Sequence, residues 1–181
     1  MSKTISKKNH RLLAIAMFLP IVLVGLLLDR WSKDLTVLHL KESAPIDLIP
    51  GVIRLNYCEN RGMAFGLLEG QRIFFIVLTV VVFAFVGVAL WRCWIKTKFG
   101  YFATAICVSG AIGNFVDRLL QGYVVDMFEP TFIRFAIFNV ADIFLTIGAI
   151  LLGIYLLFFH DKALAHEQKE REPECGEIQQ S

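Results

Sequence analysis

The sequence predicts an all-α membrane protein of four transmembrane helices with a small β-rich segment on its outward side. Three observations carry that reading. Of the 181 residues, 56% are hydrophobic and only 19% are charged, whereas a soluble domain usually carries about a quarter charged residues. The apolar residues come in long blocks that do not alternate with polar ones, and the mean hydropathy is +0.62. The ionisable residues within or bordering those blocks gather toward one face of the bilayer.

A spanning helix needs about 20 mostly apolar residues. The first span is expected at 12–30, where Leu12 to Leu28 runs without a charge and stops at Asp29-Arg30. The second, at 73–93, contains the run from Ile73 to Trp91, and the third, at 101–120, the run from Tyr101 to Val116. The fourth, at 136–159, begins near Phe135 and is interrupted only by Asn139 and Asp142. Pro20 and several glycines inside these blocks are tolerated where neighbouring helices satisfy the backbone. The basic start (Lys3, Lys7, Lys8, Arg11) resembles a signal peptide. The apolar run is too long for one, however, and no small-x-small site follows it, so a retained helix is expected.

Orientation follows from the basic residues at the helix ends. The N-terminal segment, the connection with Arg92, Lys96 and Lys98, and the tail with Lys162, Lys169 and Arg171 fall on one side after an even number of crossings. Both termini are therefore expected in the cytoplasm. The segment 31–72 and the connection from Gln121 to Arg134 then face outward, and Val52 to Tyr57, after the turn signal Pro50-Gly51, reads as a short strand. Residues 1–160 form one domain in this reading, and the polar tail 161–181 is expected to be disordered in the cytoplasm.

Composition excludes several functions. The net charge of +2 is small and scattered, so no nucleic-acid surface is expected. Cys58, Cys93, Cys107 and Cys175 lack CxxC spacing and fall in different compartments; His10, His39, His160 and His166 have no metal-ligand spacing. Neither a metal nor another cofactor is expected. Nothing in the sequence points to an obligate protein partner.

The chemistry lies in the polar cluster. Asp29 and Lys33 end the first span, Asn114, Asp117 and Arg118 end the third with Asp126 soon after, and Asn139 and Asp142 enter the fourth. A charged residue at the bilayer centre costs about 2.5–3.5 kcal/mol on insertion scales, so such a cluster implies a polar pocket open to the outer surface. If the fourth span starts near Phe135, Asp142 sits about 10 Å down a helix rising 1.5 Å per residue. A short loop would bring Asp126 to it. Two facing carboxylates sharing a proton can activate water and protonate a leaving amine. The bland alternative is a solvated Asp126 and an Asp142 that caps or pairs within the bundle. Asp29 and Lys33, four apart, either form a salt bridge or anchor at the headgroups. Asn114 and Arg118 share that spacing, with a packing hydrogen bond and an interfacial cation as the alternative. Gly110 and Gly113 permit a close helix approach. A Ser-Lys hydrolase through Ser32 or Ser109 with Lys33 has no supporting context.

Four blocks, in order, give the chain a family resemblance. They are Asp29-Arg30-Trp31-Ser32-Lys33; Asn60-Arg61-Gly62-Met63-Ala64-Phe65-Gly66; Gly110 to Arg118 continuing to Gly122-Tyr123-Val124-Val125-Asp126; and Phe138-Asn139-Val140-Ala141-Asp142 followed by Gly148. From about Leu12 to Phe159 the sequence resembles the bacterial lipoprotein signal peptidases, signal peptidase II. Departures from the family pattern (Met63, Ser109, Ile143) touch no proposed catalytic group. The resemblance implies a membrane aspartyl endopeptidase that cleaves diacylglyceryl-modified prolipoproteins just before the lipidated cysteine. It implies Asp126 and Asp142 as the catalytic dyad, with Asn60, Gly62, Asn114, Arg118 and Asn139 binding substrate or supporting the dyad. Asp29 and Lys33 would hold the first span to the pocket. It further implies a bacterial cytoplasmic (inner) membrane location, a site near the periplasmic face, a small β-structure cradling the substrate, membrane lipids as surroundings, and no cofactor.

Three rival readings compete with it. A transporter or ion relay should distribute ionisable groups across the membrane depth, but the inner halves of spans one, three and four carry none. A GxGD-type protease is disfavoured because Asp126 follows Tyr-Val-Val and Asp142 follows Asn-Val-Ala. A purely structural subunit would leave Asp142 with no reason to accept its insertion cost.

Overall fold

In the computed structural model, residues 7–62, 70–92, 94–95 and 97–159 are described. The expectations placed on 63–66, His160, His166, Cys93, Cys175, Lys96 and the tail 161–181 lie outside them. The chain runs α1 (Lys7–Leu40), β1 (Ile46–Ile49), β2 (Ile53–Asn60), α2 (Arg72–Trp91), α3 (Lys98–Leu120), β3 (Val124–Pro130) and α4 (Val140–Phe158). All four helices are long and apolar enough to cross a membrane, so the chain is a multi-pass membrane protein.

The helices bury little and expose much, as lipid-facing helices do. On α2, Ile73, Val77, Val81, Phe85 and Val88 are exposed on the molecular surface. In water such a face would be untenable; among acyl chains it costs nothing. Helix α3 is the exception, with half of its length buried at the centre of the bundle. It packs most extensively on α4, next on α1 and more lightly on α2, while α2 and α4 stand apart. Val22, Ala105 and Val108 form one core cluster, and Ile95, Tyr101 and Tyr155 a second. The α3–α4 contact is backbone-close. A side chain at Gly110 would collide with the Ala141 carbonyl oxygen, which is why only glycine fits there.

Two boundaries differ from the sequence reading. Helix α1 continues ten residues past the expected end at 30, to Leu40. Asp29 and Lys33 did not stop it because both turn inward, where they find partners, and Arg30 pairs with Asp34 at 2.6 Å on the outer side. Helix α4 begins at Val140, not near Phe135 or 136. The residues before it are claimed by the sheet: Phe138 N–H donates to the Phe128 carbonyl at 3.1 Å, and the Phe138 carbonyl accepts from Met127 and Phe128 at 3.0 and 2.8 Å.

The sheet is antiparallel in the order β1-β2-β3. The strand expected at Val52–Tyr57 is β2, which extends to Asn60. Strand β3, Val124 to Pro130, replaces what the sequence suggests is plain connection. Its chain leaves α3 at Gly122, whose φ of 83° is a left-handed conformation that favours glycine. The turn is closed by the N–H groups of Gln121 and Gly122 donating to the Asp117 carbonyl. The register then sets Asp126 opposite Cys58 and Val124 opposite Asn60.

Candidate active site

Asp126 and Asp142 come from different kinds of element and meet at Asn139. Asp126 lies on β3 among four successive buried residues and is 1% exposed. Asp142 is the third residue of α4, in its first turn rather than 10 Å down the helix as expected. There it forms a capping box with Asn139, the N-cap residue. Asp142 N–H donates to Asn139 Oδ1 at 3.0 Å, and Asn139 N–H donates to Asp142 Oδ2 at 3.1 Å. Each bond satisfies a donor that a helix start would otherwise leave bare. From the same Asn139, Nδ2 donates to Asp126 Oδ1 at 2.6 Å.

The remaining carboxylate oxygens are held as tightly. Asn60 Nδ2 donates to Asp126 Oδ2 at 2.8 Å, and Asn114 Nδ2 donates to Asp142 Oδ1 at 2.7 Å. The other hydrogen of Asn139 Nδ2 reaches Asn114 Oδ1 at 3.2 Å. Burial pushes the Asp126 carboxyl up to about 6, and the Asp142 charge adds to the rise. The Asn60 and Asn139 donors and the Lys33 charge oppose it. The first two causes outweigh the donors because the site is dry and the like charge is close.

Behind this pair stands a second cluster. Lys33, 1% exposed, donates to Asp29 Oδ2 at 2.8 Å and to Asn114 Oδ1 at 3.1 Å, and lies 2.6 Å from Asp117 Oδ2. The contact with Asp117 is an ion pair whose angle falls short of a hydrogen bond. Asp29 Oδ1 accepts from Ala141 N–H at 2.9 Å, joining α1 to the start of α4. The salt bridge between Asp29 and Lys33 is thus real and buried, not an interfacial anchor. Asp117 joins the cluster although the sequence assigns it no role; its spacing of three from Asn114 puts both on one helix face.

Arg118 stands at the edge of an apolar groove. One of its N–H groups reaches the Gly62 carbonyl at 3.3 Å, and the guanidinium lies 4.8 Å from the centre of the Phe75 ring. Gly62 N–H donates to Asn60 Oδ1 at 2.9 Å, so Gly62 links Arg118 to the Asp126 side. The groove has a volume of about 680 Å³ and opens between α2 and α4, with Leu78 and Val82 on one wall and Ile143 and Ile147 on the other. Asn60, Asn114, Arg118 and Asp142 line its polar end.

Other nucleophiles are disposed of by their surroundings. Ser32 Oγ donates to the Asp29 carbonyl and Ser109 Oγ to the Ile106 carbonyl, while Lys33 is held by the acids. The Cys58 thiol is pushed up by burial, then by the Asp126 charge, and so stays protonated and unreactive. Among the described residues there is no group of three or more His, Cys, Asp or Glu side chains that could hold a metal.

A four-span bundle with two aspartates joined through one asparagine at its rim fits a membrane enzyme of the aspartic peptidase class. The family model described as signal peptidase (SPase) II matches residues 21–158. A lipoprotein signal peptidase of Streptococcus thermophilus is 43% identical over 142 residues, covering 76% of this chain and 91% of the relative. One from Enterococcus faecalis is 42% identical over 159 residues, covering 88% and 96%. Two solved structures described as bacterial membrane enzymes superpose with a TM-score of 0.72 each. They are 28% and 31% identical, cover 88% and 80% of this chain, and are themselves covered over 93% and 95%. The chain belongs to the signal peptidase II family.

Proposed function

We propose that this chain removes the signal peptide from diacylglyceryl-modified prolipoproteins by cleaving before the lipidated cysteine, with Asp126 and Asp142 as the catalytic dyad. The observation that carries the reading is the shared asparagine: one residue, Asn139, hydrogen-bonds both carboxyls at the polar end of a groove that continues into the membrane. One aspartate, ionised, takes a proton from water as it attacks the scissile carbonyl. Its protonated partner polarises that carbonyl and then gives its proton to the leaving amine. The Asp126 value of about 6 suits a carboxyl that gains and loses a proton near neutral pH.

The groove suits the substrate. A signal helix and a diacylglyceryl group already reside among lipids, and apolar walls running down from Asp142 would receive them without drawing either into water. Arg118, Asn60 and Gly62 line the polar end and would meet the extended peptide on either side of the bond. By the distribution of basic residues, both termini face the cytoplasm and the site lies near the outer face of the bacterial inner membrane. The test is cleavage of a diacylglyceryl precursor by purified protein. Asp126→Asn and Asp142→Asn should each abolish cleavage while the protein still inserts and accumulates. Full activity from either variant would refute the dyad.

A further inference from the structure

The three carboxamides around the dyad all present N–H groups to it, although an amide can equally present its carbonyl. Each carbonyl is held away by a group that can only donate. For Asn60 this is the Gly62 N–H, and for Asn139 the Asp142 N–H. For Asn114 it is a charge, the Lys33 ammonium. We propose that Lys33 is a positioning residue: it fixes the carboxamide of Asn114, and through it that of Asn139, with the donor side toward Asp142 and Asp126. The proposal rests on the dyad reading and adds a role to the one expected for Lys33, a tie between the first span and the pocket.

The geometry allows no other arrangement of Asn114. Lysine has three donors and no acceptor, so the atom facing it at 3.1 Å is Oδ1. That leaves Nδ2 for Asp142 Oδ1 at 2.7 Å. Asn114 Oδ1 also receives Asn139 Nδ2, whose second hydrogen goes to Asp126. A flipped Asn114 would set its NH₂ against an ammonium and its carbonyl against a carboxylate, and would strip Asn139 of an acceptor. Asp29 lies on the same helix as Lys33, so the Asp117 ion pair already ties α1 to α3 without Asn114. The bond to the neutral Asn114 carbonyl adds something a tie does not need: it sets which way that carboxamide faces. Lys33 does not line the groove, so it acts through Asn114 and not on substrate.

The test is steady-state cleavage of a diacylglyceryl precursor over a range of pH by the purified full chain. Lys33→Met should lower kcat by about 10- to 100-fold, the scale of a small misplacement of catalytic groups, and leave KM within about twofold. Its acid limb should also move to higher pH. The charged and titratable groups facing Asp126 are Asp142 from α4, Lys33 from α1, Arg118 from α3 and Cys58 from β2; deleting the Lys33 charge removes one that favours the ionised carboxyl. Asp117→Asn breaks the same tie but leaves Lys33 on Asn114, so its kcat should stay within about threefold and its limb should not rise. Should Lys33→Met fail to accumulate, Lys33→Gln removes the charge and the donor-only character at similar length, and should show the same limb shift. Equal losses from the Lys33 and Asp117 variants with an unmoved limb, or a change confined to KM, would overturn the inference. An active Asp126→Asn protein would instead overturn the dyad reading.

Discussion

Replacing Asn139 with alanine removes three hydrogen bonds from a side chain with no solvent exposure: to Asp126 at 2.6 Å, to Asn114 at 3.2 Å and from the Asp142 N–H at 3.0 Å. Loss of an N-cap side chain costs about 1 kcal/mol. Leaving a buried carboxylate oxygen without its donor costs about 1.5–3 kcal/mol more, so roughly 3 kcal/mol of stability is at stake. The chemical effect has a definite sign. The Asn139 donor favours the ionised form of Asp126, and without it the carboxyl protonates at higher pH. If about 1.4 kcal/mol of the lost bond belonged to the charged form, the shift is about one pH unit. In the proposed mechanism one member of the pair is ionised, so activity should fall as pH falls through the Asp126 value of about 6. In Asn139→Ala that acid limb should lie about one unit higher. Initial rates of precursor cleavage between pH 4 and 9, normalised to folded protein, measure it. A limb at the wild-type position, in protein that has folded, would show that Asn139 does not govern Asp126.

Three further outcomes follow from the same geometry. Gly110→Val places a branched side chain against the Ala141 carbonyl and Leu145 N–H; the α3–α4 contact should open and folded protein should fail to accumulate, as size-exclusion profiles in detergent would show. Ile143→Trp narrows the apolar groove next to Asp142 and should raise KM for the lipidated precursor about tenfold without moving the acid limb; a moved limb would place the effect on the dyad instead. Chelators should leave the rate unchanged, because the chemistry assigned to Asp126 and Asp142 uses no metal; inhibition reversed by added zinc would contradict it.

Much of this architecture was legible in the sequence because lipid simplifies the code. An uninterrupted apolar run such as Ile73 to Trp91 has only one viable form in a bilayer, and α2 covers it almost to the residue. The cluster of polar residues was equally legible, since insertion cost makes each one conspicuous. The partners of those residues were not. Asp29-Arg30 looked like the end of a span. Yet α1 continues, because Asp29 finds Lys33 and the Ala141 N–H within the bundle. Nor could Val124 to Pro130 be told from a loop. Its ladder partners lie some seventy residues earlier on β2, and no local periodicity announces so distant a pairing. The depth of Asp142 is hidden for the same reason: Phe138 reads as apolar helix until β3 claims its backbone.

The use of a strand to carry Asp126 has a physical logic. Two helices packed side by side could present two acids, but each would lie within an apolar span and bear the full cost of insertion. A strand at the rim arrives with its backbone already hydrogen-bonded to β2 and to Phe138, so only the carboxyl needs new partners. Asn60 and Asn139 supply them. Asp142 likewise stands in the first turn of its helix, where bare N–H groups welcome acceptors. Both acids therefore meet where the helical bundle gives way to the sheet. Asp142 is partly open to the groove and Asp126 is closed behind it, which gives the two carboxyls the unequal surroundings that acid–base work by a matched pair requires.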